Sequence, residues 1–150
     1  MQSNNTLKIW VLDNDPFYRQ LVSQLINNLG YTDLVLFEDD AGFWTLLATD
    51  KPDIVFIDHE ETTLSGLEML KKIKRFSAGV AVVFLSGSED IYIAVELIKY
   101  GAFDYIVKGK KDTEHIADVL KKIEWIQVQG QAARASIFKR LLTFFAGLSV

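Results

Sequence analysis

The chain has 150 residues, of which 49% are hydrophobic and 24% charged, with no cysteine and a net charge of −4. That length makes one domain able to bury its own core, and the missing cysteines remove disulfide scaffolds, thiol nucleophiles, Cys-ligated zinc and iron–sulfur clusters. Two histidines, His59 and His115, cannot build a His-rich metal site, so any metal must be a hard cation held by oxygen, and the acidic balance argues against direct nucleic-acid binding.

The polar start, Met1 to Asn5, has no export pattern, and no apolar run approaches the roughly 18 residues of a membrane span. The expected location is the cytoplasm. Leu7 to Leu12 is apolar apart from Lys8 and predicts a strand buried on both faces. Asp13-Asn14-Asp15-Pro16 follows, with Asp15 placed to cap a helix and Pro16 suited to its first turn. Phe17, Leu21, Leu25 and Leu29, widened by Val22, predict the buried stripe of that helix, and Gly30 stops it.

The alternation then repeats. Leu34 to Phe37 reads as strand, Ala41 to Ala48 as helix, Ile54 to Ile57 as strand, and Gly66 to Lys74 as a helix capped by Ser65. Val80 to Leu85 reads as strand, Asp90 to Tyr100 as helix, Tyr105 to Val107 as a short strand, and Glu114 to Gln127 as a helix behind Asp112 and Thr113. Apolar strands separated by amphipathic helices predict an α/β domain with a doubly wound, five-stranded parallel sheet covered on both faces.

In such sheets ligands bind beyond the carboxyl ends of the strands. Those ends deliver Asp13 and Asn14, Asp58, Ser86 and Lys108. Two neighbouring carboxylates suit a cation between them, and Mg2+ takes one or two carboxylates while keeping several waters. A carboxylate beside Mg2+ can attack phosphorus, with Lys108 and Ser86 holding the transferred oxygens. The set is that of an aspartyl-phosphate site.

From Leu7 to about Ile126 the sequence resembles the receiver domain of two-component response regulators, a flavodoxin-like, chemotaxis-type (βα)5 fold. The resemblance rests on Leu12 to Pro16, on Pro52-Asp53-Ile54-Val55-Phe56-Ile57-Asp58 with Gly66 eight residues later, on Phe84-Leu85-Ser86-Gly87, and on Gly101 to Lys108. It implies that Asp58 accepts a phosphoryl group from a sensor histidine kinase or a histidine phosphotransfer protein, with Mg2+ held by Asp13, Asn14, Asp58 and the carbonyl of Glu60. It implies further that Ser86 and Tyr105 form the switch that changes protein contacts. Such a protein is a switch with at most slow hydrolysis of its own phosphoryl group, and its downstream effector is not named by the sequence.

Departures accompany the resemblance. Asn14 stands where the family has a second acid, which weakens Mg2+ binding. His59-Glu60-Glu61 replaces an apolar residue and Pro, and Gly109 replaces the Pro after the family lysine. His59 reads as an ordinary loop or packing residue and His115 as solvated surface. These departures support an alternative, a receiver-like interaction module that is not phosphorylated. A third reading, a flavin or metabolite site in the same crevice, leaves Lys108 without a purpose.

Residues 7–126 form the expected receiver and residues 127–150 a C-terminal helical extension. After Gly130, Ile137, Phe138, Leu141, Leu142, Phe144, Phe145 and Leu148 fall on one helical arc, and no acid follows Glu124. A basic amphipathic helix of this kind packs back on its own domain, remains from a linker, seats in a partner groove, pairs as a homodimer, or lies on an anionic membrane. Membrane contact is the least expected of these.

Overall fold

The computed structural model describes residues 6–109 and 111–147; Leu148, the last residue assigned to the apolar arc, lies outside them. The elements are β1 (Ile9–Leu12), α1 (Pro16–Asn28), β2 (Leu34–Phe37), α2 (Asp40–Leu47), β3 (Ile54–Asp58), α3 (Gly66–Phe76), β4 (Ala81–Ser86), α4 (Ile91–Lys99), β5 (Asp104–Val107) and α5 (Asp112–Gly147), with a single 3-10 turn at His59–Glu61 after β3. The strands pair in parallel in the order β2-β1-β3-β4-β5. The order reverses between β1 and β3, so the crevice opens over the carboxyl ends of those two strands.

Alternate strand residues feed two cores. Ile9, Val11, Ile54 and Phe56 pack under α1 and α5, whereas Trp10, Leu12, Val55 and Ile57 pack under α2 and α3. Burial on both faces is why these strands lack the polar alternation of a half-exposed sheet. Trp10 anchors the second core, with its ring 5.2 Å from Phe37 and 5.6 Å from Phe43.

Local signals behave as their chemistry requires. Asp15, Ser65 and Asp90 each accept hydrogen bonds from the first-turn amides of α1, α3 and α4, using groups that have no partner inside the helix. The stripe of α1 is shifted from the predicted one. Phe17 and Leu21 face solvent, and the buried face is built from Val22 and Ile26 with Tyr18, Leu25 and Leu29 packed beside them.

The C-terminal helix also differs. It runs unbroken through Gly130, because one interior glycine costs a helix only about 1 kcal/mol and good helix formers follow it. Gln127 donates to Asp53 Oδ1 at 2.7 Å, and from Val128 to Gly147 every residue is exposed. The extension does not fold back on its own domain.

Candidate functional site

The parallel register of β1 and β3 aligns Leu12 with Ile57, so the next residues, Asp13 and Asp58, emerge side by side at the crevice. Both are buried. Lys108, just beyond β5, reaches across from the other side. Its Nζ donates to Asp13 Oδ2 at 2.8 Å and to Asp58 Oδ2 at 2.7 Å. The other carboxylate oxygens accept main-chain amides, Asp13 Oδ1 from Asp15 at 2.9 Å and Asp58 Oδ1 from Glu60 at 3.1 Å.

The electrostatics are unbalanced, because two buried acids share one ammonium. Burial pushes the Asp13 carboxyl above its ordinary value, against the hydrogen bond from Lys108. Burial alone would lower Lys108, but hydrogen bonds to Asp13 and Asp58 outweigh it and hold the ammonium protonated. A site with this excess of buried negative charge fits a hard divalent cation. Nowhere do the described residues gather three His, Cys, Asp or Glu side chains suited to a metal. Any cation here would therefore combine two carboxylates with neutral oxygens, for which Asn14, exposed at the rim, and the Glu60 carbonyl are the residues at hand.

Ser86 ends β4 fully buried. Its hydroxyl donates to Glu60 Oε1 at 2.8 Å and accepts from the Ser88 amide at 3.0 Å. Glu60 thus joins Asp58, through its amide, to Ser86, through its carboxylate. Tyr105 points inward, donating from its hydroxyl to the Ser88 carbonyl at 3.0 Å. The sequence expectation for His59 agrees with its place, packed edge-on to Phe84 and tilted against Tyr105. His115 is different. It is not simply solvated, since its Nε2 lies 2.8 Å from Asp104 Oδ2.

Sequence reasoning missed a second ring of residues. The Lys108 ammonium sits 4.2 Å from the centre of the Tyr18 ring, a cation–π contact, and the Tyr18 hydroxyl donates to Asp112 Oδ2 at 2.7 Å. Arg19 donates to the Asp13 carbonyl at 2.7 Å. The Gly109 amide donates to Asp112 at 3.0 Å, with Gly109 at φ +124°. A proline there has no amide hydrogen and a φ fixed near about −65°, so it could make neither the bond nor the turn. The sequence carries a second stripe, Tyr18, Val22, Leu25 and Leu29, that keeps helical spacing as well as the predicted one does, and it is the one that turns the tyrosine toward the lysine.

Comparison with known proteins agrees with the fold. The model of the response regulator receiver domain matches residues 9–121. The chain is 31% identical over 123 residues to the DNA-binding transcriptional regulator NtrC of Escherichia coli K12, covering 82% of the chain but only 26% of NtrC. It is 32% identical to the transcriptional regulatory protein FixJ of Azorhizobium caulinodans, over 96% of the chain and 67% of FixJ. Among solved structures, the response regulatory domain of protein mrkE from Klebsiella pneumoniae superposes with a TM-score of 0.72 at 27% identity, over 82% of this chain and 99% of that one. Full-length FixJ from B. japonicum gives 0.73 at 26% identity, over 92% of this chain and 68% of that one. With an acidic pair, a buried serine and a bridging lysine at the carboxyl edge of a 2-1-3-4-5 sheet, the chain belongs to the response regulator receiver domain family.

Proposed function

We propose that the chain is a phosphorylation switch in two-component phosphorelay signalling, accepting a phosphoryl group on Asp58 from the phosphohistidine of a sensor kinase or a histidine phosphotransfer protein. The observation that carries this reading is the Lys108 ammonium bridging Asp58 and Asp13. An Asp58 carboxylate oxygen bonds to phosphorus, the phosphorus–nitrogen bond breaks, and the nitrogen keeps the electron pair and takes a proton. Lys108 already touches Asp58 Oδ2 and is placed to follow the charge as it moves onto phosphoryl oxygens. Mg2+ held by Asp13, Asn14, Asp58 and the Glu60 carbonyl supplies, when bound, neutralisation of the charge that otherwise repels the incoming phosphoryl group.

Ser86 begins with its proton committed to Glu60. Its hydroxyl turns to a phosphoryl oxygen only by leaving that carboxylate, and Tyr105, tied to the Ser88 carbonyl two residues on, feels the change. Slow hydrolysis of the acyl phosphate is the only turnover in this reading, and the output is a changed protein contact in the cytoplasm.

Incubation with a small acyl phosphate and Mg2+, followed by intact-mass measurement, tests the proposal. One added phosphoryl group that is absent from Asp58→Ala is the expected result. Glu60→Gln, which keeps an acceptor but removes a charge, raises the phosphorylated fraction. No added mass, or mass that survives Asp58→Ala, overturns the reading and leaves a receiver-like module that works without phosphorylation.

A further inference from the structure

The charge of the chain is divided along its length. All twenty Asp and Glu and thirteen of the sixteen Lys and Arg precede residue 134, a net of −7, whereas Arg134, Lys139 and Arg140 follow with no acid among them. Those three cations lie on the part of α5 in which every described residue is exposed, and they share it with large apolar side chains. Phe138, Phe144 and Phe145 are 63%, 62% and 61% exposed, and Ile137, Leu141 and Leu142 are about half exposed or more.

At 3.6 residues per turn these six side chains cover an arc of about 160°. Ser136, Lys139, Arg140 and Thr143 fill the opposite side. An arc this wide exceeds the narrow seam that two paired helices bury. The charges also oppose parallel pairing. Arg134 sits at the head of the apolar arc, in the row continued by Phe138, Leu141 and Phe145, so a parallel pair would place two arginines against each other without an acid on either strand. Cations flanking a Phe- and Leu-rich arc instead complement an anionic lipid surface, into whose headgroup layer long Arg and Lys side chains reach while their stems stay with the apolar face. Crossing the bilayer is a separate matter: no helix among the described residues is long and apolar enough for it.

We propose that residues 134–147 form an interfacial helix that lies on an anionic lipid bilayer, with the Ile137, Phe138, Leu141, Leu142, Phe144 and Phe145 arc in the acyl boundary and Arg134, Lys139 and Arg140 at the headgroups. The preceding six residues, Val128 to Ala133, separate that segment from the acidic receiver by about 9 Å along the helix axis. This reverses the order of expectation set by the sequence, and it does not depend on phosphorylation of Asp58.

Sedimentation of the full chain with vesicles tests it. The chain is expected to pellet with phosphatidylcholine vesicles containing phosphatidylglycerol, about tenfold more than with phosphatidylcholine alone, and to be released by high salt. Phe144→Glu with Phe145→Glu abolishes pelleting, and replacing Arg134, Lys139 and Arg140 by Gln reduces it severalfold. All five side chains are exposed, so an unchanged urea midpoint shows that the receiver remains folded in both variants. Failure to pellet with anionic vesicles, or equal pelleting with neutral ones, overturns the proposal. So does a lipid-free dimer, seen by light scattering, that does not pellet and that the Phe144→Glu, Phe145→Glu variant dissolves, since a second copy is then the occupant.

Discussion

The crevice at Asp58 and the outer half of α5 are opposite arrangements on one chain. In the crevice, charged groups are buried and each has a partner: Lys108 for Asp13 and Asp58, backbone amides for their remaining oxygens, Tyr18 and Gly109 for Asp112. Along the extension, the large apolar groups from Ile137 to Phe145 are about half exposed or more. Burial makes each partner in the crevice costly to remove. Exposure leaves the extension nearly silent in stability and free to be read by whatever it touches.

The largest break in this contrast comes from Lys108→Met. It leaves two buried carboxylates without their cation, and losing one member of a buried ion pair costs about 3–5 kcal/mol. Urea denaturation at neutral pH checks this. Truncating Phe144 and Phe145 to Ala, although both are larger side chains, shifts the same transition by no more than about 0.5 kcal/mol, as exposed positions do.

Tyr18→Phe comes next. It keeps the ring under Lys108 and deletes the hydroxyl that donates to Asp112, a hydrogen bond to a charged group worth about 1.5–3 kcal/mol and made between α1 and the start of α5. Burial raises the Asp112 carboxyl, but the Gly109 amide, the Tyr18 hydroxyl and the Thr113 amide together bring it below its ordinary value. A lowered folded-state value contributes stability that is present in full above the ordinary carboxylate range and lost as pH falls through the lowered value. The Tyr18→Phe deficit is therefore expected at neutral pH and shrinks on strong acidification, which denaturation at a series of pH values resolves.

These two residues also mark the limit of what the sequence disclosed. Strand ends were legible because an apolar run that stops at Asp13, Asp58, Ser86 or Lys108 stops at the crevice, and the crevice follows from the parallel alternation. Phase along a helix was harder to read. Phe17 and Leu21 are as apolar as Val22 and Leu25, so α1 carries two overlapping stripes, and only the packed sheet decides that Tyr18 faces in. The Glu60–Ser86 bond was invisible for another reason: the residues are 26 positions apart and meet only because β3 and β4 are neighbours. In α5, the helix read as ending at Gln127 continues, because a helix responds to the sum of its residues and the one glycine at 130 does not outweigh the rest.

Asp13→Asn tests the crevice from the other side, by gain. Burial holds the Asp13 carboxyl above its ordinary value, so the folded chain binds a proton more readily than the unfolded chain. Stability then falls as pH rises through the raised value, and the cost stands in full above it. The Lys108 contribution is constant across that window, because a raised ammonium value is lost only in alkali. Without divalent cations, Asp13→Asn is expected to be more stable than the parent at neutral pH, with the advantage vanishing below the ordinary carboxylate range. A variant less stable than its parent at neutral pH would mean that the Lys108 bond outweighs the burial of Asp13.

The smallest effect is the sharpest probe of the extension. A Cβ on Gly130 would meet nothing within 4 Å, so Gly130→Ala is free of steric cost there. Alanine favours a helix interior over glycine by about 1 kcal/mol, which slows amide exchange about fivefold wherever opening is local. If the outer helix frays without the receiver, as the exposure of every residue from Val128 to Gly147 implies, the slowing is confined to amides near and beyond Gly130 and the urea midpoint does not move. A midpoint that rises with the substitution would show that the extension unfolds together with the receiver, and the two regions would then be one cooperative unit although every residue from Val128 to Gly147 is exposed.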